Sequence, residues 1–312
     1  MPATTCRGRC ASPMIPFVRE MDFEYGRVDQ VSPLLRQVVA RNPGPFTYLG
    51  TGTYIVGHGE VAVVDPGPAM DEHLDAILGA VRGERVTHIL TTHTHADHSP
   101  LADALQARTG AVIYGLPDPG GPSGEHGDRD FSPDVLVTDG QDMAGPGWTL
   151  RALATPGHAS NHMAYALLEE HALLVGDHIM GWSTTVVSPP DGDMSAYYAS
   201  LDRVEARRFN ALWPTHGPPI REVSSFIAAY RAHRLEREAQ ILAELAAGRS
   251  RIADMVPRLY AAVDPSLHPA AARSVLAHLI HLVRKGHVAV TEPLGPDADF
   301  SLAGSGHASE HR

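Results

Sequence analysis

Five times between positions 61 and 216, a short run of aliphatic and β-branched residues stops at a turn that carries a histidine or an aspartate. The runs are 61–64, 87–90, 150–153, 173–175 and 211–213. The turns hold Asp65-Pro66-Gly67, Thr91-Thr92-His93-Thr94-His95-Ala96-Asp97-His98-Ser99, Pro156-Gly157-His158, Gly176-Asp177-His178 and Thr215-His216-Gly217. Short apolar runs bounded by turn residues read as buried strands. Strands that deliver polar side chains to one edge are what a shared site in an α/β protein requires. Small residues beside the His and Asp let the backbone come close to whatever is bound there.

Helical spacing separates these strands. Leu74, Ile77, Leu78 and Val81 mark a helix over 72–81, and 99–108 reads as another, closed by Gly110. Further strands are expected at 54–56, 112–114 and 135–137, and the interleaving points to an α/β (α+β) fold class. The Gly/Pro/Asp-rich stretch 117–133 reads as a long loop of the kind that carries function. After Pro219 the character changes. One long helical pattern covers 221–247 and stops at Gly248, a second runs over 252–262, and a third opens at Pro269 and stops at Gly286, before a strand at 287–290. Helix, helix, helix, strand resembles a small winged-helix unit. The expected division is a flexible leader 1–17, a catalytic domain 18–220, a winged-helix-like domain 221–295 and a disordered tail 296–312. No internal repeat is evident.

With 312 residues, 43% of them hydrophobic, the chain can bury a large core without cross-links, so a bound metal is expected to serve chemistry rather than folding. Cys6 and Cys10 are two ligands at most, which does not complete a zinc site, and they read as part of a polar tail. Net charge is −11, yet 221–290 carries ten Lys/Arg against six Asp/Glu. The acidic body argues against nucleic acid wrapping the protein, and the mildly basic C-terminal part leaves only a narrow opening for such contact. The N-terminus lacks the apolar stretch of a signal peptide, and no run is long enough to span a bilayer, so the cytoplasm is the expected location and no membrane partner is expected. No uncovered apolar stripe stands out, and the oligomeric state is left open.

The chemistry concentrates in 91–99. Residues two apart in extended chain point the same way, so His93 and His95 can share one ion, while Asp97 and His98 at the helix entry can face a second. His158, Asp177 and His216 each follow a strand and can join them.

These motifs in this order resemble the metallo-β-lactamase superfamily, in the branch without the cysteine ligand of many true lactamases; the resemblance covers 46–219. It implies a four-layer αβ/βα sandwich with two metal ions at one edge of two facing sheets. Carried over residue by residue, His93, His95 and His158 hold the first ion, Asp97, His98 and His216 the second, and Asp177 bridges both. Asp65 supports the site without binding metal. Imidazole and carboxylate favour two Zn2+, with iron or manganese as substitutes. The segments His233-Arg234-x-x-Arg237-Glu238-x-Gln240, Leu259-Tyr260 and Ala277-His278-Leu279 resemble the winged-helix tail of the lactamase-like, glyoxalase II-like branch, which includes an endoribonuclease and several thioesterases.

The implied mechanism is hydrolysis. The ions ionise a shared water, the bridging hydroxide attacks, and Asp97 orients it and receives its proton. Asp97 and Asp177 are the expected catalytic carboxylates. Met180, Trp182, Ser183 and Thr184 follow Asp177 closely and, with Tyr260, are the expected substrate contacts; Trp182 reads equally as a stacking surface and as core wall. The expected substrate is a small ester, thioester or lactam-like acyl compound. Alternatives are an endoribonuclease cleaving single-stranded RNA and a mononuclear iron persulfide dioxygenase.

Overall fold

The computed structural model describes residues 14–120, 127–291 and 293–304. The first sheet takes strands β1 (Val28–Gln30), β2 (Leu35–Val39), β3 (Gly52–Val56) and β4 (Glu60–Val64), then, after helix α1 (Asp71–Ala80), β5 (Arg85–Leu90). Helix α2 (Ala102–Thr109) leads to β6 (Val112–Gly115) and β7 (Val135–Leu136). The strands lie in chain order, antiparallel from β1 to β4 and parallel from β4 to β7.

The second sheet is built from β8 (Asp142–Gly145), β9 (Trp148–Ala154), β10 (Met163–Leu167), β11 (Ala172–Gly176) and, after helix α3 (Met194–Arg207), β12 (Ala211–Pro214). Its order is β12-β11-β10-β9-β8, with only the β11–β12 pair parallel. Helix α4 (Val223–Ala246) follows, then α5 (Ile252–Leu259), α6 (His268–Arg284) and a hairpin of β13 (Val288–Val290) and β14 (Phe300–Leu302).

Strand alternation sorts the core into layers. On β4, Ala62 and Val64 face the second sheet and pack in one cluster with Tyr54, Leu90, Leu150, Tyr165, Leu174 and Trp213. Val61 and Val63 face the other way, against Leu74 and Ile77 of α1 and Leu105 of α2. The outer face of the second sheet, including Leu173 and Val175, is covered by Tyr197 and Leu201 of α3 and Phe226 and Tyr230 of α4. Helix, sheet, sheet, helix is the four-layer sandwich that the resemblance implies.

Four differences from the sequence reading have physical causes. The boundary drawn at 220/221 falls before a helix that serves two cores: Phe226 and Tyr230 pack on the second sheet, whereas Ile241 and Leu245 of the same α4 pack with α5, α6 and the hairpin. The tail read as disordered from 296 instead contributes β14, with Ala298 and Phe300 buried, as far as the described residues reach. The leader read as loose up to 17 packs Ile15 and Phe17 against the second sheet's outer core; Cys6 and Cys10 lie outside the described residues. Strands β1, β2, β8 and β10, and helix α3, were not read from the sequence. Strand β10, Met-Ala-Tyr-Ala-Leu, carries no β-branched residue to mark it.

Candidate metal centre

The C-terminal ends of β5, β9, β11 and β12 deliver the sequence-expected residues to one place. His93 Nε2 lies 2.8 Å from His95 Nδ1, and His158 Nε2 lies 3.1 Å from that same atom. Across the site, His216 Nε2 is 3.0 Å from Asp97 Oδ2, and His98 Nε2 is 3.6 Å from it. Asp177 borders both groups: Oδ1 is 3.4 Å from His216 Nε2 and 3.7 Å from His98 Nε2, while Oδ2 is 3.7 Å from His158 Nε2. The donor atoms of His93, His95 and His158, those of Asp97, His98 and His216, and those of His93, His98 and Asp177 each lie within 4.8 Å of one another.

Backbone and carboxylate acceptors fix which ring nitrogen is offered. Nδ1 of His158 is 2.6 Å from the Val186 carbonyl, Nδ1 of His216 is 3.1 Å from the Gly50 carbonyl, and Nδ1 of His98 is 3.0 Å from Asp65 Oδ2. Each acceptor demands a proton on Nδ1, so each ring turns Nε2 inward, the arrangement that orients metal-binding histidines. Three of the inward atoms, His98 Nε2, His216 Nε2 and Asp177 Oδ1, are buried and make no hydrogen bond. Buried polar atoms without partners are rare, and three facing one another fit a cation held by imidazole and carboxylate.

The electrostatics agree. Burial, helped by neighbouring imidazoles, holds His93 well below the ordinary histidine value and His95 down at about 3. For His98 and His216 burial acts in the same direction, but the carboxylates Asp97 and Asp177 outweigh it and raise both. Burial would raise Asp97 and Asp177, yet His98 and His216 pull both below the usual carboxylate range. Such imidazole protons are what a bound cation displaces.

Several residues position the ligands; Asp65 is marked in the sequence by its Asp-Pro-Gly turn, whereas His162 is not. Asp65, at a left-handed φ of 51°, accepts from Thr92 N (2.7 Å), Thr92 Oγ1 (2.9 Å) and Thr215 Oγ1 (2.8 Å) besides His98. It therefore ties the turn after β5 to the turn after β12. His162 accepts the Asp177 backbone N–H at Nε2 (3.2 Å) and meets Thr155 Oγ1 through Nδ1 (2.8 Å). Two glycines permit close approach. Gly50, whose carbonyl holds His216, would place a Cβ 2.1 Å from the Ala40 carbonyl, and Gly157, beside His158, would place one 2.4 Å from Tyr197 Cα.

The centre opens into a cavity of about 1100 Å³ whose walls include His95, Asp97, His158 and Asp177. Met180, Trp182, Ser183, Thr184 and Tyr260, the expected substrate contacts, all line it. Trp182, half-buried in the cavity wall, stacks on Tyr48 with ring centroids 4.6 Å apart. Tyr230 of α4 donates to the Ser183 carbonyl (2.6 Å) and holds this segment in place. The loop 117–133 contributes Asp118, Pro119, Gly127 and Arg129 to the lining. The facing wall comes from α4 and α6, with His233, Arg234, Arg237, Arg273 and His278. No helix among the described residues is long and apolar enough to cross a membrane.

The sequence profile described as Metallo-beta-lactamase superfamily matches residues 48–216, and that of the Beta-lactamase associated winged helix domain matches 252–293. An atrochrysone carboxyl ACP thioesterase of Pseudocercospora fijiensis is 33% identical over 75% of this chain and 69% of its own length. Another of that name, from Aspergillus chevalieri, is 34% identical over 72% of this chain and 70% of its own. A beta-lactamase-like protein 2 homolog of Caenorhabditis elegans is 32% identical over 69% of this chain and 72% of its own. Among solved structures, a metallo-beta-lactamase family protein of Thermus thermophilus superposes with a TM-score of 0.72 at 23% identity, covering 88% of this chain and 100% of that one. A beta-lactamase domain protein of Burkholderia ambifaria gives 0.73 at 20% identity, covering 89% and 94%. These two share the fold.

Proposed function

The chain belongs to the metallo-beta-lactamase superfamily and is a metal-dependent hydrolase, and on that premise we propose that it hydrolyses a small acyl thioester or ester with two divalent ions held around Asp177. The observation that carries this reading is one carboxylate shared by the groups His93/His95/His158 and Asp97/His98/His216, with three buried donor atoms left without hydrogen bonds. When bound, such ions bring the pKa of a water toward neutrality and polarise the acyl oxygen, with zinc, iron and manganese all suited to the donors.

The rest of the work falls to the chain. Asp97, kept ionised by His98 and His216, borders the cavity and accepts a hydrogen bond from the attacking water. A carboxylate in that position can orient the water and receive its proton. Met180 and Trp182 give the acyl group an apolar surface, and the helices of the C-terminal domain close the cavity from the far side. The names of the fungal relatives, thioesterases of an acyl carrier protein substrate, support a thioester over a lactam.

The test is a panel of thioesters, esters, lactams and single-stranded RNA, run with metal analysis. Thiol release from thioesters is expected, and His95→Ala or Asp177→Ala should lower it by several orders of magnitude. RNA cleavage in place of thiol release, or oxygen consumption with one iron per chain, would replace this reading by the nuclease or the dioxygenase.

A further inference from the structure

We propose that the cavity wall built by α4 and α6 is a recognition subsite for an anionic group, a carboxylate or a phosphate, which the substrate carries away from the bond that is cleaved. The inference rests on the acyl-hydrolase reading for the word substrate, but the subsite can be tested without turnover.

The sequence motif His233-Arg234-x-x-Arg237-Glu238 and the distant His278 come together on this wall. His233, Arg234, Arg237, Arg273 and His278 all line the cavity. The carboxylates that line it, Asp97, Asp118, Asp177 and Asp191, all belong to the catalytic domain, so among the described residues the helical wall presents cationic groups and no acid. His233 and His278 register this: both are pushed down to about 4, by burial first, with Arg234 and Arg237 adding to the effect and Glu238 opposing it at His278.

The polar atoms here are held in place but not used up. Arg237 lies 4.1 Å over the Tyr260 ring and donates through one terminal nitrogen to the Leu259 carbonyl (2.8 Å) and Gln240 Oε1 (2.9 Å). Buried Arg234 sits over Tyr197 and donates to the Thr185 carbonyl, while its Nε has no partner. His278, wholly buried, points Nδ1 at Glu238 Oε1 (3.3 Å) and leaves Nε2 without a hydrogen bond. Glu238 is itself fixed by the Tyr198 hydroxyl at 2.9 Å. Two guanidinium groups one helical turn apart, stiffened by aromatic faces, are arranged to receive oxygens in the paired fashion that arginine favours. A carboxylate or a phosphate supplies those oxygens.

The experiment is calorimetric titration of the full chain with glutarate, with pantetheine 4′-phosphate and with uncharged pantetheine, before and after metal chelation. At least one anionic probe should bind ten-fold or more tightly than pantetheine, and which one does so identifies the acyl carboxylate or the carrier phosphate as the source. Arg237→Gln should abolish the difference, Arg237→Lys should restore part of it, and chelation should leave it intact. Should Arg237→Gln not fold, Arg237→Lys and the contrast among probes in the native chain decide. Equal binding of all three probes overturns the proposal. So does anion binding lost on chelation but kept in the Arg237 variants, or displacement of the anion only by a single-stranded oligonucleotide. Because binding is read directly, a chain that fails to hydrolyse thioesters still gives an answer here.

Discussion

Asp65 does not line the cavity, yet it gathers four hydrogen bonds from Thr92, Thr215 and His98 and thereby sets the tautomer of one candidate ligand. Replacing it by asparagine keeps the shape but removes the charge that holds a proton on His98 Nδ1. We expect Asp65→Asn to weaken metal binding by roughly 10- to 100-fold, measured by competition with a chromophoric chelator. Unchanged affinity would mean that the His98 orientation is set elsewhere. At this scale the sequence was readable where chemistry is dense. His93, His95, Asp97 and His98 crowd into one turn, and His158, Asp177 and His216 each close a strand. His162 was not readable, because its contact is with the Asp177 backbone N–H and depends on how two turns meet in space.

Turns at strand ends govern the elements. Gly157 adopts φ 141° with Tyr197 Cα directly above it, so the turn after β9 and the first turn of α3 are in van der Waals contact. We expect Gly157→Ala to cost about 1–3 kcal/mol of stability, as overpacked sites do, and to move His158 with it; denaturant unfolding and metal affinity together check both parts. Helix α3 shows what was legible but missed. Met194, Tyr197, Leu201 and Val204 are buried at helical spacing, and Asp193 caps the helix by accepting from Ala196 N. The sheet-edge strands β1 and β8 are harder to read, because they are only three and four residues long and each exposes an apolar residue, Val28 and Ala144, where the apolar-in, polar-out pattern would put a polar one.

At the scale of the whole molecule, two cores meet along α4, and the cavity lies where the catalytic sandwich faces the C-terminal helices. No single-segment pattern reports such a meeting, which is why the cavity's helical wall was legible as a motif and not as a surface. Burial also makes the molecule acid-sensitive. His73, His233 and His278 are pushed down to about 4, so each is neutral when folded but takes up a proton when unfolded below about 6.5. Their contribution to stability is complete above that value and is lost as pH falls toward 4. The melting temperature of the chelated protein should therefore drop by several degrees between pH 6.5 and 4.5; a flat profile would contradict this. The most direct test of the whole account is anomalous diffraction from crystals grown with zinc. Two peaks are expected, one among His93, His95 and His158 and one among Asp97, His98 and His216, with an Asp177 oxygen reaching each. A single peak, or none within reach of Asp177, would contradict it.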